Sequence, residues 1–272
     1  FHPDPATRDP LWSRGLGDVY KRQDIQSFSA FSEKLSASDL VSLLNNYLTE
    51  MTDILMENNG TLDKYIGDAI VAFYGAPIEI KDHELLACRT AIKMQERLAV
   101  LREQWQAEGD RWPEIVHHMQ NRIGINTGQM VTGNMGSDSR MNYTMMGDTV
   151  NLAARLESSA KQYGIYIQIA DKTYESVKDQ VVVRALDFVK VMGKEEPVKV
   201  YELISEVDQE PEPYKKILPA FHEAIAYYFN QDWDKAIEAF KEADELEEMF
   251  EGRKTNPSII YTVSYTNLTL PK

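Results

Sequence analysis

Two runs of strand-forming residues, 61–65 and 69–74, flank the tripeptide Ile66-Gly67-Asp68. β-Branched and aromatic residues interrupted by one glycine leave the chain little choice but to fold back on itself, so a tight hairpin is predicted. Such a hairpin commits the fold to antiparallel pairing early in the chain. It also sets the Asp68 carboxylate at an exposed tip.

The remaining pattern alternates helices with strands. Ser38 is expected to cap a helix carrying Leu40, Leu44, Tyr47, Leu48, Met51, Ile54 and Leu55 at helical spacing, stopped by Asn58-Asn59-Gly60. Residues 82–105 read as a long amphipathic helix, and 122–126 and 129–132 as strands about Gly128. Residues 148–160 read as a helix with Asp148 as its cap. A strand at 166–170, a short helix at 171–177 and strands at 181–191 and 198–203 follow. Helices interleaved with hairpins predict an α+β sandwich with an antiparallel-rich sheet rather than a doubly wound parallel sheet.

Residues 206–213 form an acidic linker containing proline. Beyond it, residues 221–228 and 233–246 are predicted to be two amphipathic helices about Asn230-Gln231-Asp232. The helical segment, taken as 214–260, is similar to one tetratricopeptide unit, which cannot bury its apolar face alone. Two readings stay open: a surface for a protein partner, or a helical hairpin packed on its own domain or on a dimer mate.

Composition narrows the classes of function. A net charge of −14 opposes sequence-independent nucleic-acid binding, which needs a basic face. An anionic substrate would have to be held locally, by metal and a few cations. The single cysteine, Cys88, allows no internal disulfide and is expected as a small buried hydrophobe in a reducing, cytoplasmic setting. No run of about 18 apolar residues is present, so no span is expected within the chain; a sensor or membrane anchor is expected upstream in the parent protein.

Both ends carry a string of another kind. Residues 13–23, Ser-Arg-Gly-Leu-Gly-Asp-Val-Tyr-Lys-Arg-Gln, resemble a translated transposon-end sequencing adapter. Residues 263–272, Val-Ser-Tyr-Thr-Asn-Leu-Thr-Leu-Pro-Lys, resemble the same DNA read in the opposite orientation. Residues 1–23 and 263–272 are therefore expected to be artefact rather than part of the fold. The strand leading into Asp24 would then be Gly17-Asp18-Val19-Tyr20-Lys21-Arg22-Gln23, where an apolar central strand is expected. Lys21 or Arg22 would point inward or crowd the site.

Asp24 at a strand end and Asp68 at a hairpin tip can meet on adjacent strands. Mg²⁺ takes hard oxygen ligands and is satisfied by one or two carboxylates plus substrate phosphates. Two such ions about 3.5–4 Å apart stabilise the attacking and leaving oxygens of an in-line displacement. The small residues after Asp24 can open a helix whose amides face phosphates. Asn151 and Arg155 stand four apart in the segment 147–155, Gly-Asp-Thr-Val-Asn-Leu-Ala-Ala-Arg, and so share one helical face.

Taken together and in this order, Asp24-Ile25-Gln26-Ser27-Phe28, residues 62–68 and residues 147–155 resemble the catalytic domain of class III nucleotidyl cyclases. Asn126-Thr127-Gly128, Gly133-Asn134-Met135-Gly136 and residues 189–203 extend the resemblance, which spans residues 24–205. It implies a ferredoxin-like fold, a head-to-tail homodimer with active sites between subunits, and conversion of a nucleoside triphosphate to a 3′,5′-cyclic monophosphate and pyrophosphate. It further implies that Asp24, Asp68 and the Ile25 carbonyl hold two Mg²⁺ or Mn²⁺ ions. The amides of Gln26, Ser27 and Phe28 would cradle phosphates. Asn151 would orient the ribose, and Arg155 would meet charge on the reacting phosphate, both acting on the nucleotide held by the other subunit's aspartates.

The resemblance places Lys64 and Thr144 at the purine-reading positions. A lysine ammonium offers donors only. Adenine N1 accepts whereas guanine N1 carries a hydrogen, so Lys64 suits adenine, and the Thr144 hydroxyl can accept from the N6 amine. The expected activity is that of an adenylate cyclase acting on ATP in signal transduction. A guanylate cyclase, or a nucleotide-binding dimerisation module with weakened catalysis, is the alternative. One departure supports weakening: where the family often has Lys-Gly-Lys this chain reads Met192-Gly193-Lys194, and Met192 supplies no charge. The Thr144 form resembles a subclass that includes bicarbonate-responsive cyclases, so a response to bicarbonate is a further expectation.

Overall fold

The computed structural model describes residues 18–26, 28–189, 197–247, 253 and 255–269. A seven-stranded sheet runs through its centre. Strand β1 (Asp18–Ile25) lies antiparallel between β3 (Ala69–Tyr74) and β4 (Asn121–Gly128). β2 (Thr61–Ile66) closes the predicted hairpin with β3. β7 (Ile167–Ala170) joins β4 in parallel, followed by β9 (Val198–Glu206) and β8 (Val181–Val189). The order is β2-β3-β1-β4-β7-β9-β8, and β5 (Val131–Ser137) with β6 (Arg140–Met146) makes a separate hairpin. Among the described pairings β4–β7 alone is parallel, so the fold is the antiparallel-rich α+β class that the hairpin pattern implied.

One face is covered by α2 (Ala37–Glu57), α3 (His83–Ala107), the single turn α4 (Glu114–His117) and α6 (Asp171–Val177). Leu43, Tyr47, Met51 and Leu55 of α2 and Leu98, Leu101 and Trp105 of α3 pack onto Ile70, Ile123, Ile125 and Leu203 of the sheet. Each fully buried side chain of this kind contributes about 1.5–3 kcal/mol, so this face is the main core. The short α1 (Phe28–Lys34) packs Phe28 against its rim. The opposite face is covered by α5 (Asp148–Tyr163), α7 (Tyr214–Phe229), α8 (Trp233–Leu246) and α9 (Pro257–Thr269).

Several boundaries depart from the periodicity. Ser36, not Ser38, caps α2: its Oγ accepts the Asp39 N–H at 3.2 Å. Gly147, with φ of 148°, occupies the cap position of α5, and Asp148 is already helical. Helix α7 begins at Tyr214 rather than at residue 221 and runs through Pro219. Proline usually ends a helix; here burial of Ile217 and Leu218 holds the preceding turn in place. The strand β6 was not predicted: its sequence Arg-Met-Asn-Tyr-Thr-Met-Met alternates polar and apolar residues through Met145, but it is built largely from Arg, Asn and Met rather than from the β-branched residues that mark strands.

The tail packs against its own sheet. Phe221, Ala224, Phe240 and Tyr261 meet Leu152, Leu156 and Ala160 of α5 together with Leu186 and Val200. The aromatic rings of Phe240 and Tyr261 stack at 4.9 Å, and the Tyr261 hydroxyl donates to the Leu186 carbonyl at 2.8 Å. A buried ionic cluster pins the same contact. Arg184 of β8 bonds to Glu247 Oε1 at 2.5 Å and lies 3.0 Å from Glu202 Oε2, the second a charge contact without hydrogen-bond alignment. Ser258 donates to Glu247 at 3.0 Å. Helix α9 runs to Thr269 through most of the stretch 263–272; residues 1–17 and 270–272 lie outside the described residues. No helix among the described residues is long and apolar enough to cross a membrane.

Candidate active site

The end of β1 and the β2–β3 hairpin converge at the two aspartates. Asp68 is buried rather than exposed at its tip, because the hairpin folds back onto β1. There its Oδ2 accepts the Ile25 N–H at 2.8 Å. Asp24 is half-buried, and its carboxyl acts on that of Asp68. Burial first, and the Asp24 carboxyl second, push the Asp68 carboxyl up to about 7, against the lowering effect of the Ile25 amide. Two carboxyls pressed together in this way are a pair that a divalent cation relieves, and their donor chemistry fits Mg²⁺ or Mn²⁺. Among the described residues no group of three or more His, Cys, Asp or Glu side chains is arranged to hold a metal, so further ligands would have to come from backbone, water or substrate.

A buried polar network stands behind this pair. Gln23 and Asn121 both donate to the Tyr47 hydroxyl, at 2.5 and 2.9 Å, and Gln95 donates to Asn121 Oδ1 at 2.6 Å. Burial raises the Tyr47 hydroxyl well above its ordinary range, with Asp68 and Asp24 adding to the rise. The phosphate cradle is modified from expectation. The Gln26 amide already donates to the Gln120 carbonyl at 2.7 Å, so it is not available to a phosphate in this conformation. Phe28 opens α1, and Ser27 lies outside the described residues.

Lys64 and Thr144 come together although they are far apart in sequence. Lys64 Nζ donates to Thr144 Oγ1 at 3.1 Å, and Thr144 Oγ1 donates to Asp63 Oδ2 at 3.0 Å. Lys64 Nζ is also 3.5 Å from Asp63 Oδ2. The register of β2 on β3 shifts between Leu62 and Lys64. Asp63 is therefore the extra residue of a β-bulge, which lets two sequence neighbours reach one hydroxyl where a regular strand would send them to opposite faces.

Asn151 and Arg155 lie on the exposed face of α5. Neither forms a hydrogen bond or ion pair among the described residues. Arg155 lines an open cleft of about 360 Å³ with Arg22, Ala154, Ser158, Ser159 and Gln162. The structure thus assembles Asp24 with Ile25 and Asp68, and Lys64 with Thr144, while Asn151 and Arg155 face outward.

Arg122 was not singled out by its sequence context. It is paired across the sheet with Asp24. Its Nε lies 3.3 Å from Glu157 Oε1, and its Nη1 is buried without a hydrogen-bond partner. Glu157, on the buried side of α5, is raised by burial and by Asp24 and lowered by Arg122 and Arg22. A lone arginine opening a strand gives no signal in sequence; only the register sets it against the aspartate. The segment Met192-Gly193-Lys194 lies outside the described residues.

Comparison with known proteins points to one family, whose members include both adenylyl and guanylyl cyclases. Residues 22–205 match the model of the adenylate and guanylate cyclase catalytic domain. The chain is 34% identical over 184 residues to adenylate cyclase 1 of Rhizobium meliloti (strain 1021), covering 68% of this chain and 27% of that protein. It is 32% identical over 227 residues to the terminal-differentiation specific adenylate cyclase of Dictyostelium discoideum, covering 82% of this chain and 10% of that one. The chain thus spans only about a tenth to a quarter of the length of these relatives. The crystal structure of the adenylyl cyclase CyaB from P. aeruginosa superposes with a TM-score of 0.64 at 36% identity, over 72% of this chain and 97% of that one.

Proposed function

The chain belongs to the adenylate and guanylate cyclase catalytic domain family, and from that premise we propose that it converts ATP to 3′,5′-cyclic AMP and pyrophosphate. The observation that carries the choice of ATP is the Lys64–Thr144 pair, whose 3.1 Å contact presents donors from Lys64 and a hydroxyl from Thr144 to one base. The relatives named as adenylate cyclases favour the same base. In this reading Asp24 and Asp68, with the Ile25 carbonyl, hold two Mg²⁺ or Mn²⁺ ions. When bound, these ions stabilise charge on the attacking 3′-oxygen and on the departing pyrophosphate. The protein's own part is to align the ribose hydroxyl with the α-phosphorus and to keep cations around the phosphates. Asn151 orients the ribose. Arg155 meets charge on the α-phosphate, and the unpartnered Nη1 of Arg122 is a second cation at the aspartate end.

We propose a homodimer with shared sites, in which Asn151 and Arg155 act on the nucleotide held by the partner's Asp24 and the partner's Asp68. Their exposure on α5 without internal partners supports this arrangement. The domain assignment in this reading is catalytic over residues 24–205, linker over 206–213 and a helical segment from 214. That segment serves its own domain by packing on α5. The strand before Asp24 is proposed to be adapter-derived, a reading supported by the burial of Lys21 within a central strand. Incubating the protein with ATP and Mg²⁺ or Mn²⁺, then measuring cyclic AMP and pyrophosphate, tests the activity. Absence of product with both metals, or preference for GTP in competition, would overturn it.

A further inference from the structure

Thr144 Oγ1 sits between two groups of fixed polarity. Lys64 Nζ, at 3.1 Å, can only donate. Asp63 Oδ2, at 3.0 Å, accepts when ionised. The Lys64 ammonium at 3.5 Å favours the ionised form, and the Thr144 hydrogen bond and the Lys64 charge both act against the rise that burial imposes on Asp63. The hydroxyl proton is therefore committed to Asp63. What Thr144 has left for a ligand is a lone pair.

From this we infer that Asp63 is a positioning residue for base selection: by holding the Thr144 proton, it makes the hydroxyl an obligate acceptor that selects a purine with an exocyclic amine at position 6. The inference rests on the cyclase reading for the identity of the site and deepens it. Adenine offers an N6 hydrogen to that lone pair. Guanine offers the O6 lone pair, which meets the Thr144 lone pair in mutual repulsion. Without Asp63 a threonine hydroxyl is indifferent, since it donates or accepts as the ligand requires. The Thr144 contact alone is thus ambiguous, and its share of the discrimination, beside that of Lys64, comes from the residue behind it.

The local structure is built for this. Asp63 reaches Thr144 only because of the bulge in β2 between Leu62 and Lys64. Bulges beside functional sites re-aim side chains in this manner. The Asp63 side chain is 3% exposed, so water does not compete for its Oδ2. Its other oxygen, Oδ1, is buried without a hydrogen-bond partner, and such a group is costly to bury. A purely structural need at this point would be met more favourably by an apolar residue.

The test uses the full chain and three nucleotides: ATP, GTP and purine riboside triphosphate, which lacks a substituent at position 6. Binding is read by displacement of a fluorescent nucleotide and turnover by pyrophosphate release. In the wild-type protein, purine riboside triphosphate should bind at least about tenfold more weakly than ATP, the scale of one hydrogen bond lost at a buried site. In Asp63→Asn the side-chain amide can donate to Thr144, turning the hydroxyl toward the ligand. The ATP-to-GTP binding ratio should then fall roughly tenfold or more, and adding Asp63→Asn to a Thr144→Val background should not change it further. Equal weakening of all three nucleotides in Asp63→Asn would overturn the inference, as would an undiminished ATP-to-GTP ratio. Should Asp63→Asn not fold, equal wild-type binding of ATP and purine riboside triphosphate would overturn it by itself. Preferential ATP binding without pyrophosphate release would sink the cyclase activity and leave base selection standing. Preferential GTP binding by the wild type would sink both.

Discussion

Ile25 donates its backbone N–H to Asp68 Oδ2 across 2.8 Å, which ties the end of β1 to the β2–β3 hairpin and brings the Asp24 and Asp68 carboxyls together. The bond explains why Asp68 is buried at a hairpin tip. A strand end left unpaired in the interior would strand its amide, and the carboxylate satisfies it. One oxygen of Asp68 thus has a structural duty, while the other can face a cation.

Replacement of Asp68 is therefore predicted to have two effects. Asp68→Asn keeps an oxygen for the Ile25 amide but removes charge, so the fold should persist while turnover falls by about a hundredfold or more. The rise in melting temperature on adding Mn²⁺ should disappear with it. Differential scanning fluorimetry with and without Mn²⁺, alongside cyclic AMP formation, reads both. A variant that keeps its turnover would remove Asp68 from the metal site.

Sharing of the site between subunits makes a separate prediction. An Asp68→Ala chain and an Arg155→Ala chain should each be inactive alone. Mixed in equal amounts and allowed to exchange, they should recover about a quarter of wild-type activity, because about half of the dimers are mixed and each has one intact site of two. No recovery, from chains shown to exchange, would place both residues in one subunit's site.

Arg122 should act on phosphate rather than on the base. Its pairing opposite Asp24 and its unpartnered Nη1 predict that Arg122→Gln weakens ATP and GTP alike, by roughly tenfold to a hundredfold in kcat/KM. An unchanged kcat/KM would assign the arginine to Glu157 alone.

How far the sequence reaches depends on what each residue's role requires. Asp68 was legible from its hairpin, since strand propensity and a glycine turn are local properties. Its burial was not, because the Ile25 amide that receives it is 43 positions away. Lys64 and Thr144 were legible through their resemblance to a known pattern, yet the strand that carries Thr144 was not, because it is poor in β-branched residues. Asp63 escaped notice because a bulge is a property of two strands in register, and neither strand alone encodes it. The tail left two readings open for a similar reason: its apolar faces were plain, but what covers them is α5 and the sheet, chosen by shape and by the Arg184–Glu247 pair.

That pair gives a prediction for the tail. Arg184 is fully buried and its 2.5 Å bond to Glu247 lies beside the weaker Glu202 contact. Glu247→Ala should destabilise the protein by about 3–5 kcal/mol, since it leaves a buried guanidinium short of charge. Combining it with Arg184→Met and Glu202→Gln should recover much of that loss, because neither the guanidinium nor the Glu202 carboxylate beside it is then left buried without its counter-charge. Urea unfolding of the single and combined variants measures both. Additive losses would show that packing, not charge pairing, holds the tail.

Lys21 tests the strand that carries Asp24. It is 1% exposed in the middle of β1, with Gln23 Oε1 at 3.3 Å and the Met94 sulfur as its partners and no carboxylate bonded to it among the described residues. Burial lowers its ammonium well below the ordinary lysine range. A base with a depressed folded pKa contributes full stability only above its unfolded value near 10.5. As pH falls below that value, the unfolded chain takes up a proton that the folded chain refuses, and stability is lost until the folded pKa is reached. Lys21→Leu removes this penalty. It should stabilise the protein at neutral pH by about 1–3 kcal/mol, equivalent to roughly 2–4 °C in melting temperature for each kcal/mol. The gain should shrink as pH is raised toward 10.5. Because β1 leads directly into Asp24, the same change should raise turnover by holding the aspartate more firmly. If neither melting temperature nor turnover rises at neutral pH, the lysine is accommodated without cost and the strand is native to the site.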